Sequence, residues 1–137
     1  MANGTFCTVI GCMDGRCQAV VGAWARTHFS VDHPDTVTIA GADGVLVTDP
    51  AEWERALAMA TISAEKHGAR GAIIAGHSGC AGFVASPEEH QDAIRGAVAK
   101  LVATGLFESV VGVYHDVDTD EIIEVCRSAA VPATAVA

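Results

Sequence analysis

The chain has 137 residues, half of them hydrophobic, enough to bury one stable core and hardly two, so residues 1–137 are expected to form a single domain. Lys and Arg number 8 against 17 Asp and Glu, and the formal charge of -9 repels phosphate backbones and anionic lipid, which sets nucleic acid and membrane surfaces aside as partners. No stretch approaches the roughly 20 uninterrupted apolar residues of a membrane helix, and Met1-Ala2-Asn3-Gly4-Thr5 lacks a basic flank leading into an apolar run, so a cytoplasmic location is expected.

Thr5 to Gly11 is a short apolar run rich in β-formers, and Cys17 to His28 follows with Val20, Val21, Trp24 and His28 at helical spacing. Thr36 to Ala40 gives a second strand, closed by Gly41-Ala42-Asp43-Gly44, which reads as a turn. Asp49-Pro50-Ala51-Glu52 supplies an N-cap, a proline at the first helical position and a glutamate at the third. Trp53, Leu57, Ala60 and Ala64 then form one apolar stripe, so the spacing predicts a helix to about Lys66. Ala69 to Ala75 is a third strand, running into Gly76-His77-Ser78-Gly79-Cys80. Ser86-Pro87-Glu88-Glu89 is a capping box that opens a helix to about Thr104, stopped by Gly105. Ser109 to Tyr114 is a fourth strand. The tail from Asp116 to Val125 alternates acidic and apolar residues and fits either an edge strand or a short helix.

Strands that alternate with helices and are themselves nearly continuous in apolar residues indicate an α/β fold, a parallel sheet flanked by helices on its faces. Ligands of such sheets bind beyond the carboxyl ends of the strands, where strand order reverses. The chemically interesting residues follow strands here: Cys12-Met13-Asp14-Gly15-Arg16 after the first, His77 and Cys80 after the third. If those two strands are neighbours, the two segments face each other across one crevice.

There are five cysteines, an odd number, which argues against a disulfide framework and leaves metal binding, thiol chemistry or plain burial. Cys12, His77 and Cys80 combine two soft thiolates with an imidazole, ligand types that favour zinc over calcium or magnesium, and three protein ligands leave an open position on a catalytic zinc. Each of these cysteines taken alone reads as a small buried hydrophobe; together with a histidine, amid glycines and just past strands, they read as metal ligands. Cys7, Cys17 and Cys126 are expected to be packing residues. His28, His33, His67, His90 and His115 are individually weak signals, mostly expected at the surface or at helix ends, with His67 suited to a helix C-terminus and His115 a candidate for lining the crevice.

Cys12-Met13-Asp14-Gly15-Arg16 and Gly76-His77-Ser78-Gly79-Cys80 resemble the two signature motifs of the β-class carbonic anhydrases, Cys-x-Asp-x-Arg and His-x-x-Cys, and Val113-Tyr114-His115-Asp116-Val117-Asp118-Thr119 is similar to the family's last core strand. The resemblance implies zinc held by Cys12, His77 and Cys80, a parallel sheet of strand order 2-1-3-4 with a possible extra edge strand, assembly into homodimers or higher homo-oligomers, and hydration of carbon dioxide to bicarbonate by a zinc-bound hydroxide. It implies that Asp14 and Arg16 are a paired catalytic dyad beside the metal, with Asp14 either accepting a hydrogen bond from the zinc-bound hydroxide or, once released by Arg16, entering the fourth position. An ordinary ion pair is the plain alternative for these two residues. The chain departs from the family in three ways: an Arg-Asn-Ala-Gly type segment is replaced by Thr38-Ile39-Ala40-Gly41, Ala81 stands where glycine usually follows the second cysteine, and the N-terminal helical arm is expected to be missing, since the first strand begins near Thr5.

Three other activities fit the same residues. A related zinc hydrolase would act on carbonyl sulfide or carbon disulfide; a thiol redox protein would cycle a Cys12–Cys80 disulfide, though without a Cys-x-x-Cys motif; a non-catalytic zinc scaffold would dock a partner through its acidic face.

Overall fold

The computed structural model of the protein describes residues 3–129, so the outermost residues of the expected 1–137 domain lie outside the description. In chain order the elements are β1 (Phe6–Gly11), α1 (Gln18–Phe29), β2 (His33–Thr38), α2 (Ala42–Thr48), α3 (Pro50–Lys66), β3 (Gly71–His77), α4 (Pro87–Ala103), β4 (Ser109–Asp116) and β5 (Glu121–Ala129). They build one five-stranded sheet of order β2-β1-β3-β4-β5, parallel from β2 to β4. The expected order 2-1-3-4 is therefore present. The ambiguous tail resolves into an extra edge strand, β5, paired antiparallel with β4.

Side chains alternate between two faces of the sheet, and each face collects its own core. Ile10, Ile74, Val110 and Tyr114 pack with Leu46, Ala56, Ala60, Ile94, Val98 and Leu101 under α2, α3 and α4. On the other face, Cys7, Val9, Ile73, Ala75, Val111 and Val113 meet Cys17, Val21 and Ala25 of α1. Every residue of the central strand β3 is buried, which is why it reads as an unbroken apolar run with no alternation.

The caps legible in the sequence form as expected. Asp49 accepts hydrogen bonds from the N–H groups of Ala51 and Glu52 at the start of α3. Ser86 and Glu89 make the reciprocal capping box at the start of α4.

Two elements differ from expectation. β2 starts at His33 rather than Thr36, because its register against β1 runs from Phe6↔His33 to Gly11↔Thr38. Pro34 is tolerated there since β2 is an edge strand and has no outer neighbour needing its N–H. The expected turn Gly41–Gly44 is instead the entry to helix α2: Gly41 sits at φ 65 and Ala42, Asp43 and Gly44 are already helical. Glycine is used at 41 and 44 for close packing as well as for backbone freedom. A Cβ on Gly41 would lie 2.4 Å from the Gly82 carbonyl carbon, and one on Gly44 would lie 2.6 Å from the Phe83 ring. Among the described residues no helix is long and apolar enough to cross a membrane.

Ile74, fully buried on β3, and Ile62, exposed on α3, separate core from surface. Ile74→Ala is expected to lower unfolding free energy by about 2–5 kcal/mol and Ile62→Ala by less than about 0.5 kcal/mol, as read from urea denaturation midpoints.

Candidate metal centre

β1 and β3 are adjacent and parallel, in the register Thr8↔Ala72 to Ile10↔Ile74, so their carboxyl ends open on the same edge of the sheet. Cys12 leaves the end of β1, His77 is the last residue of β3, and Cys80 follows in a turn where Gly79 takes φ 62. That left-handed residue reverses the chain sharply enough for His77 and Cys80 to address one point. Arg16 and the β4–β5 side hold the turn in place: Ser78 N–H donates to the His115 carbonyl at 2.9 Å, Val117 N–H donates to Ser78 Oγ at 2.9 Å, and Arg16 Nη2 donates to the Gly79 carbonyl at 3.2 Å.

The ligand atoms of Cys12, His77 and Cys80 all lie within 4.8 Å of one another, and the two sulfurs are 3.9 Å apart. All three residues are buried. His77 Nδ1 lies 2.7 Å from the Ser78 carbonyl oxygen. A carbonyl can only accept, so Nδ1 carries a proton, and in the neutral ring Nε2 then presents a bare lone pair. Nε2 is buried without a hydrogen-bond partner. A buried polar atom left unpaired is costly in a folded protein unless something else fills its coordination. Two sulfurs and an unpartnered imidazole nitrogen sharing one point are a donor set that fits zinc.

The sulfurs are themselves held by backbone. Gly41 N–H donates to Cys12 Sγ at 3.4 Å. Burial pushes the Cys80 thiol up, and the backbone amides of Phe83 and Gly82 oppose that effect. Beside them, Asp14 and Arg16 form a forked pair: Arg16 Nε donates to Oδ1 at 3.0 Å, Nη2 to Oδ2 at 2.6 Å, and the Arg16 backbone N–H to Oδ1 at 2.9 Å. These hydrogen bonds hold the Asp14 carboxyl well below the usual carboxylate range. Asp14 Oδ2 is also 3.9 Å from His77 Nε2, which places the dyad at the cluster's open side. Gln18 braces the same loop by donating to the carbonyls of Cys12 and Asp14 at 2.8 and 3.0 Å. A cavity between the sheet and α1 reaches Cys12 and His77 and is lined by Val9, Val21, Ala75 and Thr36.

All five residues singled out from the sequence, Cys12, Asp14, Arg16, His77 and Cys80, thus meet in one place. The remaining cysteines pack: Cys7 and Cys17 are buried under α1, and Cys126 rests against the other core. Two of the other histidines, expected mostly at the surface or at helix ends, are buried. His115 is fully buried, with Nε2 3.0 Å from Asp120 Oδ1. His90 is buried in the first turn of α4, with Nδ1 2.6 Å from Oδ2 of the equally buried Asp43. Burial pushes the Asp43 carboxyl up, and the hydrogen bond from His90 opposes it. No local signal joins residues 47 positions apart; only the packing of α2 on α4 does. His67 caps α3 as expected, and its Nδ1 reaches Asp35 at 2.7 Å.

The mostly parallel 2-1-3-4 sheet with paired loops at the ends of β1 and β3 gives the chain the fold of the β-carbonic anhydrases. Residues 2–126 match the model of the family described as "Putative carbonic anhydrase", and the chain belongs to that family. Its fold is similar to solved carbonic anhydrases. The Streptococcus mutans enzyme aligns at TM-score 0.58 and 19% identity over 87% of this chain and 81% of its own. One from Glaciozyma antarctica aligns at TM-score 0.59 and 19% identity, over 87% and 81%. The tetrameric β-carbonic anhydrases of Sordaria macrospora align at TM-score 0.62 and 17% identity, over 93% and 84%. No curated protein matches the sequence.

Burial pushes the Cys7 thiol up to about 11 and the Cys17 thiol up to about 12. Above about pH 9 the unfolded chain releases these protons while the native state keeps them, so the unfolded state binds fewer protons and stability falls as pH rises. Urea midpoints are expected to decline from about pH 9 upward, and Cys17→Ala to flatten that decline.

Proposed function

We propose that the chain is a zinc-dependent carbonic anhydrase that hydrates carbon dioxide to bicarbonate, with Cys12, His77 and Cys80 as the metal ligands and Asp14 and Arg16 as the catalytic dyad. The observation that carries the reading is His77 Nε2, buried and unpartnered at the point shared by the Cys12 and Cys80 sulfurs. Family membership and the common fold support the reaction type.

When bound there, zinc supplies Lewis-acid activation of water, damped by the negative charge of the two thiolates that hold it. The protein's own groups do the rest. Asp14 stays ionised through the working pH range, so it can only accept hydrogen bonds, and it orients an O–H placed at the open side of the cluster. Arg16 keeps that carboxylate in one orientation through its fork and, through Gly79, ties it to the turn that carries Cys80. Arg16 therefore holds Asp14 away from the ligand position in this conformation. Val9, Val21 and Ala75 give a small apolar electrophile a water-poor approach to Cys12 and His77.

The reaction is placed in the cytoplasm, where five unbridged cysteines remain reduced. The assembly is proposed to be a homodimer or a higher homo-oligomer. Tetramers among the structural neighbours support this, as do Met13 and Val84, exposed apolar residues on the two loops that carry Cys12 and Cys80.

Metal analysis of the purified protein is expected to give one zinc per chain, lost in Cys80→Ser. Asp14→Ala is expected to keep the zinc while carbon dioxide hydration, followed by stopped flow, falls about 10- to 100-fold, the usual range for groups that support a ligand set. The wild-type rate is expected to rise toward alkaline pH, since the thiolates oppose ionisation of the activated water. A protein that binds no zinc, or full activity in Asp14→Ala, overturns this assignment. Light scattering is expected to give at least the mass of a dimer.

A further inference from the structure

Asp43 and His90 are ionisable, about 1% exposed, 2.6 Å apart, and packed against Phe83 and Tyr114, yet they are not among the five site residues. A buried pair of this kind contributes little net stability compared with well-packed apolar residues, because desolvation offsets the attraction. What it does supply is a fixed geometry, and the surroundings show which geometry is fixed. We propose that Asp43 and His90 are positioning residues for the two sulfur ligands: their hydrogen bond clamps the first turn of α2 to α4, and the clamped turn aims the Gly41 N–H that donates to Cys12 and seats the Gly82–Phe83 backbone that follows Cys80. The inference rests on the reading that Cys12, His77 and Cys80 hold zinc.

The contacts form a closed circuit. Asp43 stands two residues after Gly41, whose N–H donates to Cys12 Sγ and whose carbonyl accepts from Val45 N–H at 3.0 Å. Through Oδ2 the Asp43 side chain reaches His90 on α4 at 2.6 Å. The Gly41 backbone is pressed on Gly82: a Cβ added to Gly82 would lie 2.5 Å from Gly41 N. Gly82 and Phe83 follow Cys80 directly, and their backbone amides oppose the rise that burial gives its thiol. The circuit closes through Phe83, whose ring covers Gly44 and meets the His90 ring edge-on at a centroid distance of 4.7 Å. Asp43 Oδ2 also occupies the space over Gly76, the residue before His77, where a Cβ would lie 2.4 Å from it. All three ligands are thus backed by elements that touch the pair, and neither member of the pair is itself bonded to a ligand atom.

Hydrogen bonds from backbone N–H to a thiolate sulfur draw charge from it and weaken its donation to the metal. Loosening the α2 turn removes that constraint and changes both the metal's affinity and its electronic spectrum. Partners behind a ligand set typically alter metal affinity about 10- to 100-fold.

The test uses the full chain loaded with cobalt(II) in place of zinc, with the sulfur-to-cobalt charge-transfer band as one readout and zinc affinity by competition with a chelator as the other. His90→Ala and Asp43→Ala are expected to shift the band and to weaken zinc binding about 10- to 100-fold. His90→Asn, which keeps a nitrogen donor near the place of Nδ1, is expected to restore most of both. Leu101→Ala, a buried α4 substitution outside the circuit, is expected to lower the unfolding midpoint while leaving band and affinity unchanged. Should the alanine variants not fold, Asp43→Asn keeps the shape of the side chain and is expected to shift the band in the same direction by less. Wild-type band and affinity in His90→Ala, or in Asp43→Asn where the alanine variants are lost, overturn the positioning role and leave the zinc reading standing. A wild-type protein that takes up no cobalt and no zinc overturns the zinc reading, and the positioning role falls with it.

Discussion

His77 is fixed by one short hydrogen bond, from Nδ1 to the carbonyl of the next residue, and the chemistry of the site depends on it. That bond commits the proton to Nδ1 and leaves Nε2 as a lone pair with nothing to satisfy it. The opposite tautomer would turn an N–H toward the two sulfurs and make the cluster a hydrogen-bonded thiol pocket. The Ser78 carbonyl is available only because Gly79 turns the chain through a left-handed conformation while Ser78 is pinned from both sides, its N–H to His115 and its hydroxyl to Val117. Sheet order supplies the remaining requirement. Parallel neighbours β1 and β3 end at the same edge, so a cysteine that follows one strand meets a histidine that ends the other.

Polar groups near this edge are arranged by what they hold still more than by how much they stabilise. The Asp14–Arg16 pair is partly exposed, and pairs of that kind contribute little to folding. Its several hydrogen bonds converge on one carboxylate orientation, toward the cluster. Asp43 and His90 are wholly enclosed, yet the same description applies: the pair ties the start of α2 to α4, and α2 follows directly on Gly41, whose N–H reaches Cys12. One acidic group faces the open side of the ligands and the other stands behind them.

The loop after Cys80 explains how the chain tolerates its departures from the family pattern. Glycine at 41 and 82 lets two backbone segments approach within contact distance, and Phe83 fills the space above Gly44. Ala81 is exposed and adds no bulk to that contact, so the substitution alters the rim and not the support of the sulfurs.

Much of this protein was legible in its residues because the relevant physics is local. Asp49 and Ser86 announce helices through hydrogen bonds to backbone two or three residues away, and continuous apolar runs announce buried parallel strands. Cys12, His77 and Cys80 could be named because they stand at or just past strand ends, where α/β sheets keep their sites, and Asp14 and Arg16 because their segment resembles a family motif. What the sequence could not decide depends on residues far apart in the chain. Gly41–Gly44 reads as a turn and is a helix start, since its glycines answer to Gly82 and Phe83. β2 begins early because its register against β1, not its own composition, sets the boundary. His90 reads as an ordinary helix residue until α2 brings Asp43 to it. Local hydrogen bonding and periodicity determined the elements and the candidate ligands; tertiary packing alone decided which backbone groups touch the sulfurs, because those contacts exist only once the sheet has brought separate loops together.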